Sequence, residues 1–172
     1  MIVLGIDPGT AVTGYGVVEG QHSTPARLIE CGVIRTKARD SLAHRLHDIH
    51  AGIAELIERH RPDAVAIEDV FYARNVRTTI VLGHARGVIL LAAAQAHVEI
   101  SEYPPAEIKK AIVGTGNATK QQVQFMVTRL LRLKTAPEPA DAADGVAAAL
   151  TRLMMVRLPR IADELAPIAA RR

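Results

Sequence analysis

Apolar positions along the chain change period several times, and each change predicts an element. Residues 2–6 (Ile-Val-Leu-Gly-Ile) form a short apolar run that stops at Asp7-Pro8-Gly9, the pattern of a buried strand and a turn. Residues 12–19 are β-prone though interrupted by glycine, and residues 27–35 make a third strand. The short spacers among these three favour antiparallel neighbours. The period then lengthens. Leu42, Leu46, Ile49, Ile53, Leu56 and Ile57 recur at three and four residues, predicting an amphipathic helix over 41–60 that stops before Pro62. Residues 64–67 predict a strand ending in Glu68-Asp69. Residues 78–96 predict a helix in which Gly83 and Gly87 are weak points or close-packing sites, and residues 98–101 another strand. Thr119 and Gln122 have the spacing of a capping box ahead of Val123, Met126, Val127, Leu130 and Leu131. After Pro137 and Pro139 a last helix is predicted from about Ala140 to about Val156. The expected class is α/β: one mixed five-stranded sheet, three antiparallel strands and then parallel ones, flanked by helices.

Composition narrows this further. The 172 residues amount to one domain, with 49% apolar and 23% charged side chains. A chain of this size buries about 70% of its unfolded surface, enough for a core without staples. Domain residues 1–156 are expected to be followed by a tail, 157–172, frayed or disordered by its two prolines. Cys31 is the single cysteine, which excludes an internal disulfide framework or a multi-cysteine zinc site and suits a reducing cytoplasm. No basic segment precedes the first apolar run, so no signal peptide is expected. The longest apolar run, Val88 to Ala94, is far short of the ~20 residues of a membrane span.

The net charge of +3 is unevenly divided. Residues 1–69 carry 7 basic and 10 acidic side chains, residues 70–134 carry 9 and 3, and residues 135–172 carry 5 and 5. A basic middle third containing Arg74, Arg77 and Arg86 is what a polyanion-binding surface requires, or simply a solvated face.

Four carboxylates stand at element boundaries. Asp7 ends the first strand, Glu68 ends the fourth, and Asp141 and Asp144 occupy the first turn of the last helix. Their i, i+3 spacing puts the last two on one helix face, at the positive end of the helix dipole. If the first and fourth strands are adjacent and parallel, Asp7 and Glu68 emerge side by side at the sheet's C-terminal edge, where α/β sheets carry their sites. The last helix, packed there, would gather all four. Such a group repels itself unless a cation offsets it, and hard oxygen donors select Mg²⁺ or Mn²⁺. Two ions about 3.5–4 Å apart suit in-line hydrolysis of a phosphodiester, with nearby Lys or Arg offsetting the phosphate charge. Each residue also has a plainer reading. Asp7-Pro8-Gly9-Thr10 reads equally as a turn in which the Asp bonds its own backbone. Asp141 and Asp144, taken alone, read as helix-start charges. Glu68 is harder to dismiss, because Glu is a poor turn residue at a strand end. His44, His47 and His50 lack a partner to complete a tetrahedral metal site and read as a polar helix face.

The same residues resemble a known family. Gly5-Ile6-Asp7-Pro8-Gly9-Thr10 with Thr13-Gly14-Tyr15-Gly16 is similar to the opening of the RuvC family, the crossover (Holliday) junction endodeoxyribonucleases. Ala66-Ile67-Glu68-Asp69-Val70-Phe71 with Asn75, then Leu82-Gly83-His84-Ala85-Arg86-Gly87, resemble its second motif and the helix after it. Lys109, Val113-Gly114 and Asn117 to Val123 resemble a third motif, and Asp141-Ala142-Ala143-Asp144 a fourth. The resemblance implies a ribonuclease-H-like fold over residues 1–156, a homodimer, and Mg²⁺-dependent paired nicking of four-way DNA junctions, with Mn²⁺ able to substitute. It implies a role beside the RuvA–RuvB branch-migration machinery in recombination and repair. Residue by residue, Asp7, Glu68, Asp141 and Asp144 fall on the family's catalytic carboxylates and Lys109 and Lys120 on its basic residues near the scissile phosphate. Phe71 falls on its aromatic implicated in junction handling. Tyr72 would add a second ring for stacking or only cover the core, and Arg74, Arg77 and Arg86 are candidate contacts to the DNA backbone. Gly145 stands where the family usually has Ala, and a helical Gly costs roughly 0.5–1 kcal/mol, so a looser helix start is expected there.

Three other readings share parts of this pattern. An actin-like ATPase or sugar kinase opens with a similar Gly-Ile-Asp-x-Gly-Thr turn but needs a second domain to close over nucleotide. A non-catalytic junction-binding protein and a related nuclease acting on RNA are the others.

Overall fold

A computed structural model describes residues 1–21, 24–69 and 76–169, with side chains through residue 156 apart from those of residues 21 and 24. β1 (Ile2–Asp7), β2 (Val12–Gln21) and β3 (Thr24–Arg35) form an antiparallel meander. α1 (Leu42–His60), β4 (Ala64–Glu68), α2 (Val76–Gln95) and β5 (Glu99–Tyr103) follow. The chain closes with α3 (Pro105–Val113), α4 (Lys120–Leu130) and α5 (Ala140–Ala169). The sheet order is β3-β2-β1-β4-β5, with β4 and β5 parallel to β1. This is the mixed five-stranded sheet expected from the periodicity.

Period-2 alternation sorts the sheet's side chains onto two faces. One face carries Leu4, Ile6, Val17, Val65 and Ile67, buried with Ile49 and Ile53 of α1 and Ile89 of α2. The other carries Val3, Val18 and Ala66, buried with Ile108, Ile112, Val123 and Val127 and with Val146, Ala147 and Leu150 of α5. On this second face the central strands are lined by small residues, and that lets α5 lie almost on the backbone. A Cβ added at Gly14 would stand 1.9 Å from the Asp141 carbonyl oxygen, and one at Gly5 would stand 2.1 Å from that of Gly145.

Gly145 makes the matching approach from the helix side. A Cβ there would come within 2.6 Å of the Tyr15 Cα, far inside any real contact. The looser helix start expected from Gly145 is therefore corrected. The glycine seats α5 more closely on β2, and this close packing outweighs its low helix propensity.

Local signals account for the helix ends. Ser41 caps α1, accepting from His44 N–H. The Thr119–Gln122 capping box is present in both directions. α3 lies where the periodicity predicted no element. Its signals are short but real: Pro105 at the first position, Glu107 in the first turn, Ile108 and Ile112 four apart, and Gly114 at φ 91° after the end. α5 continues past the boundary expected near Val156, running on to Ala169. The prolines at 159 and 167 lie within it, each removing one backbone donor and crowding the preceding turn. Among the described residues α2 alone is long and apolar enough to cross a membrane by length and composition, and its Ala85, Ile89, Ala92 and Ala93 are instead buried in the core.

Candidate active site

Strand parity decides where the carboxylates point. Asp7 shares a face with Val3 and Gly5, and Glu68 shares one with Ala64 and Ala66. Both therefore leave the sheet on the α5 side. Parallel pairing sets Ile6 opposite Ile67, so the two acidic residues end adjacent strands at one level. Because Gly14 and Gly16 let α5 approach, its first turn brings Asp141 and Asp144 over the same edge.

The outcome is a compact acidic group. One oxygen each from Asp7, Asp141 and Asp144 lie within 4.8 Å of one another. Glu68 stands outside this trio but lines the same cavity as Asp7 and Asp144. That cavity has a volume of about 250 Å³ and also takes in Lys109 of α3 and Lys120 of α4. Ile108, Val123 and Ala147 form its apolar wall. The Lys120 ammonium lies 2.6 Å from Asp144 Oδ2 and 3.8 Å from Asp141 Oδ1. All four carboxylates and both lysines singled out from the sequence thus meet at one sheet edge.

Burial and mutual repulsion both act on these acids. Asp7 is pushed up to about 8, first by loss of hydration and then by the charges of Glu68 and Asp144, with Lys120 opposing. Glu68 is pushed up to about 7 by burial and by Asp144, against the pull of Lys120 and Lys109. Asp144 is raised by burial despite its bond to Lys120, and Lys120 is raised by that same bond. Carboxyls held this far above their ordinary range favour a proton or a divalent cation at neutral pH. The donor set of oxygens, with no thiolate or imidazole, fits a hard cation such as Mg²⁺, Mn²⁺ or Ca²⁺.

The remaining residues divide. Phe71, Tyr72 and Arg74 lie outside the described residues. Arg77 is exposed on the first turn of α2. Arg86 pairs with Asp69, at 3.2 Å, and with Glu102 of β5. Its guanidinium therefore ties α2 to the residue after Glu68, where Asp69 N–H also donates to the Tyr103 carbonyl (2.8 Å). That clamp was not legible in the sequence, because residues 69, 86 and 102 belong to three separate elements.

Comparison with known proteins agrees with this geometry. A family model described as "Crossover junction endodeoxyribonuclease RuvC" matches residues 3–152. A protein of that name from Halorhodospira halophila is 53% identical over 148 residues, covering 86% of this chain and 87% of its own. The Thermus thermophilus RuvC structure superposes with a TM-score of 0.85 at 40% identity, covering 92% of this chain and 97% of that one. A structure of the T. thermophilus protein in complex with a Holliday junction substrate gives 0.84 at 37%, covering 92% and 96%. A mixed sheet that ends in two acids under an acidic helix turn, matched over nearly the whole chain, leads to one conclusion: this chain belongs to the RuvC family of crossover junction endodeoxyribonucleases.

Proposed function

We propose that this chain resolves four-way DNA junctions by paired, symmetric, divalent-ion-dependent nicks in recombination and repair. The observation that carries the reading is the trio Asp7, Asp141 and Asp144, gathered within 4.8 Å beside Lys120 at a cavity that Lys109 also lines. Asp7, Glu68, Asp141 and Asp144 would hold two Mg²⁺ ions, with Mn²⁺ able to substitute. Bound there, the ions would supply an activated water and stabilise the leaving 3′ oxygen. The protein's own part is positional. Asp7 and Glu68 are fixed by paired strands, and Asp141 and Asp144 by a helix seated on glycine. Lys120 offsets the charge of Asp144, and with a cation held there its ammonium would be available to the scissile phosphate. Lys109, which lines the same cavity, would contact that phosphate as a point charge.

Arg77 is retained as a backbone contact, and Phe71, Tyr72 and Arg74 remain proposed contacts to the junction. Arg86 leaves that set. Its Nη2 is held by both Asp69 and Glu102, so we assign it to steadying the Glu68 strand end.

Two symmetric nicks need two matched active sites, which a C2 homodimer supplies. The exposed side of α2 suits that contact. Val76, Ile80 and Leu91 are at least half exposed, and Gly83 and Gly87 face open space, so a second copy could approach closely. A cytoplasmic setting beside RuvA–RuvB completes the reading.

The test incubates the protein and its Asp141→Asn variant with a synthetic four-way junction, a linear duplex and an RNA–DNA hybrid, each with Mg²⁺. Paired symmetric nicks in the junction alone, abolished by EDTA and absent from a variant that still binds, are expected. Equal cutting of the hybrid would favour the RNA-acting alternative. Junction binding without cutting by the parent would overturn the nuclease.

A further inference from the structure

Charge in the first third of the chain is concentrated. Four of its basic side chains, Arg35, Lys37, Arg39 and Arg45, fall within residues 35–45, where Asp40 is the one acidic residue. β3 ends at Arg35, and a turn closed by Asp40 N–H donating to the Lys37 carbonyl (3.0 Å) leads into α1. Arg35, Lys37 and Arg39 are exposed and have no carboxylate partner among the described residues.

Register puts this turn at the edge of the active site. Asp7 is opposite Gly14, Gly14 is opposite Val33, and Val12 is opposite Arg35. Arg35 thus lies two strands across from Asp7 and two residues beyond it. At ~4.8 Å per strand and ~3.4 Å per residue, the backbone separation is about 12 Å. The turn is also locked to the loop that follows Asp7. Thr36 N–H donates to the Ala11 carbonyl (3.1 Å) and the Thr36 hydroxyl to the Thr10 carbonyl (2.6 Å). Arg45 Nη2 donates to that same carbonyl (2.6 Å), and its Nε to the Thr36 hydroxyl (2.9 Å). Unpaired cations on a free loop would be an ordinary solvated surface. Tied to the Asp7 loop, they keep a fixed offset from the carboxylates. α1 begins beside them with no acidic residue in its first turn, so its dipole adds to the positive potential.

We propose that the β3–α1 turn is a second phosphate seat. In it Arg35, Lys37 and Arg39 hold the backbone of the substrate DNA three or four nucleotides from the scissile phosphate, at ~3.4 Å of rise per nucleotide. The seat lies on the β3 flank of the carboxylates, whereas Lys109 of α3 lines the cavity that holds Asp7 and Glu68. It rests on the nuclease reading above and adds the direction in which one DNA arm leaves the site.

The test compares the parent with an Arg35→Gln/Lys37→Gln/Arg39→Gln variant. Binding to a four-way junction and to a linear duplex is followed by fluorescence anisotropy in EDTA, from about 50 to about 200 mM salt. Each lost phosphate contact lowers the slope of log K against log salt by about 0.9, so a drop of about two to three is expected, with binding at least tenfold weaker. Single-turnover cleavage at saturating protein should stay within about threefold, and melting should confirm that the variant is folded. Arg61→Gln is the control, an exposed arginine just before β4, at the end of the strands away from Asp7 and Glu68, and is expected to leave both affinities within about twofold. Unchanged slope and affinity in the triple variant would overturn the seat, as would an equal loss with Arg61→Gln. If the parent fails to cut the junction, the nuclease reading falls separately. The duplex titration then still decides the seat: a lowered slope supports it, and an unchanged one removes it.

Discussion

Replacing Asp7 with Asn should stabilise the cation-free protein while abolishing its cleavage. In the fold Asp7 is pushed from 3.8 to about 8, chiefly by burial and then by Glu68 and Asp144. A carboxyl raised in this way holds its proton in the folded state at a pH where the unfolded chain releases it. Its contribution is therefore fully present below pH 3.8 and is lost as pH rises through about 8. At about 1.4 kcal/mol per pH unit, the interval from 3.8 to 7 is worth up to about 4 kcal/mol against folding. Solvent at the cavity mouth screens part of this, leaving about 2 kcal/mol. Asn keeps the shape and removes the titration. In EDTA at pH 7 the variant should melt about 4–8 °C above the parent, at ~2–4 °C per kcal/mol. The gap should close by pH 4. Calorimetry across pH 4–8 is the assay. Saturating Mg²⁺ should narrow or invert the difference, because a cation at 100 times its Kd adds about 2.7 kcal/mol to the parent and the variant has lost a ligand. A gap independent of pH, or a variant less stable than the parent at pH 8 in EDTA, would refute the reasoning. It would mean that burial and repulsion do not act on residue 7.

Lys120→Gln removes the ammonium that shares Asp144, so the Mg²⁺ concentration for half-maximal cleavage should fall several-fold while the saturated rate drops at least tenfold. An unchanged Mg²⁺ requirement in a titration of cleavage would count against that sharing. Arg86→Gln removes the charge that ties Asp69 to Glu102, so kcat should fall about tenfold with junction affinity within about twofold. Weakened binding with a reduced salt slope would instead return Arg86 to the DNA surface. Gly145→Ala should destabilise by about 2 kcal/mol in denaturant melts, since overpacking against the Tyr15 backbone outweighs the roughly 1 kcal/mol gained in helix propensity. A stabilised variant would show that α5 can shift without loss.

What the sequence determined by itself was the inventory and its placement along the chain. Short apolar runs for the strands buried on both faces, and a 3.6-residue period for α1, were enough to assign those elements, because burial leaves its mark residue by residue. α3 escaped because two turns with two buried isoleucines barely differ from a loop. The acids were legible for a similar local reason. Asp7 and Glu68 end apolar runs, and Asp141 and Asp144 open a helix after prolines; each has a plain local reading, and it was the four together that stood out.

Tertiary structure decided what those residues meet. Strand parity and the parallel pairing of β1 with β4 sent Asp7 and Glu68 to one face, and glycines on both partners let α5 close over them. The same packing turned Gly145 from a weak point into a seat and Arg86 from a surface cation into a clamp. It also set the basic turn at 35–39 beside the active site, although charge averaged over the first third of the chain had come out acidic. Contacts of this kind join residues dozens of positions apart, and their energies depend on distances and burial that no local window of sequence contains.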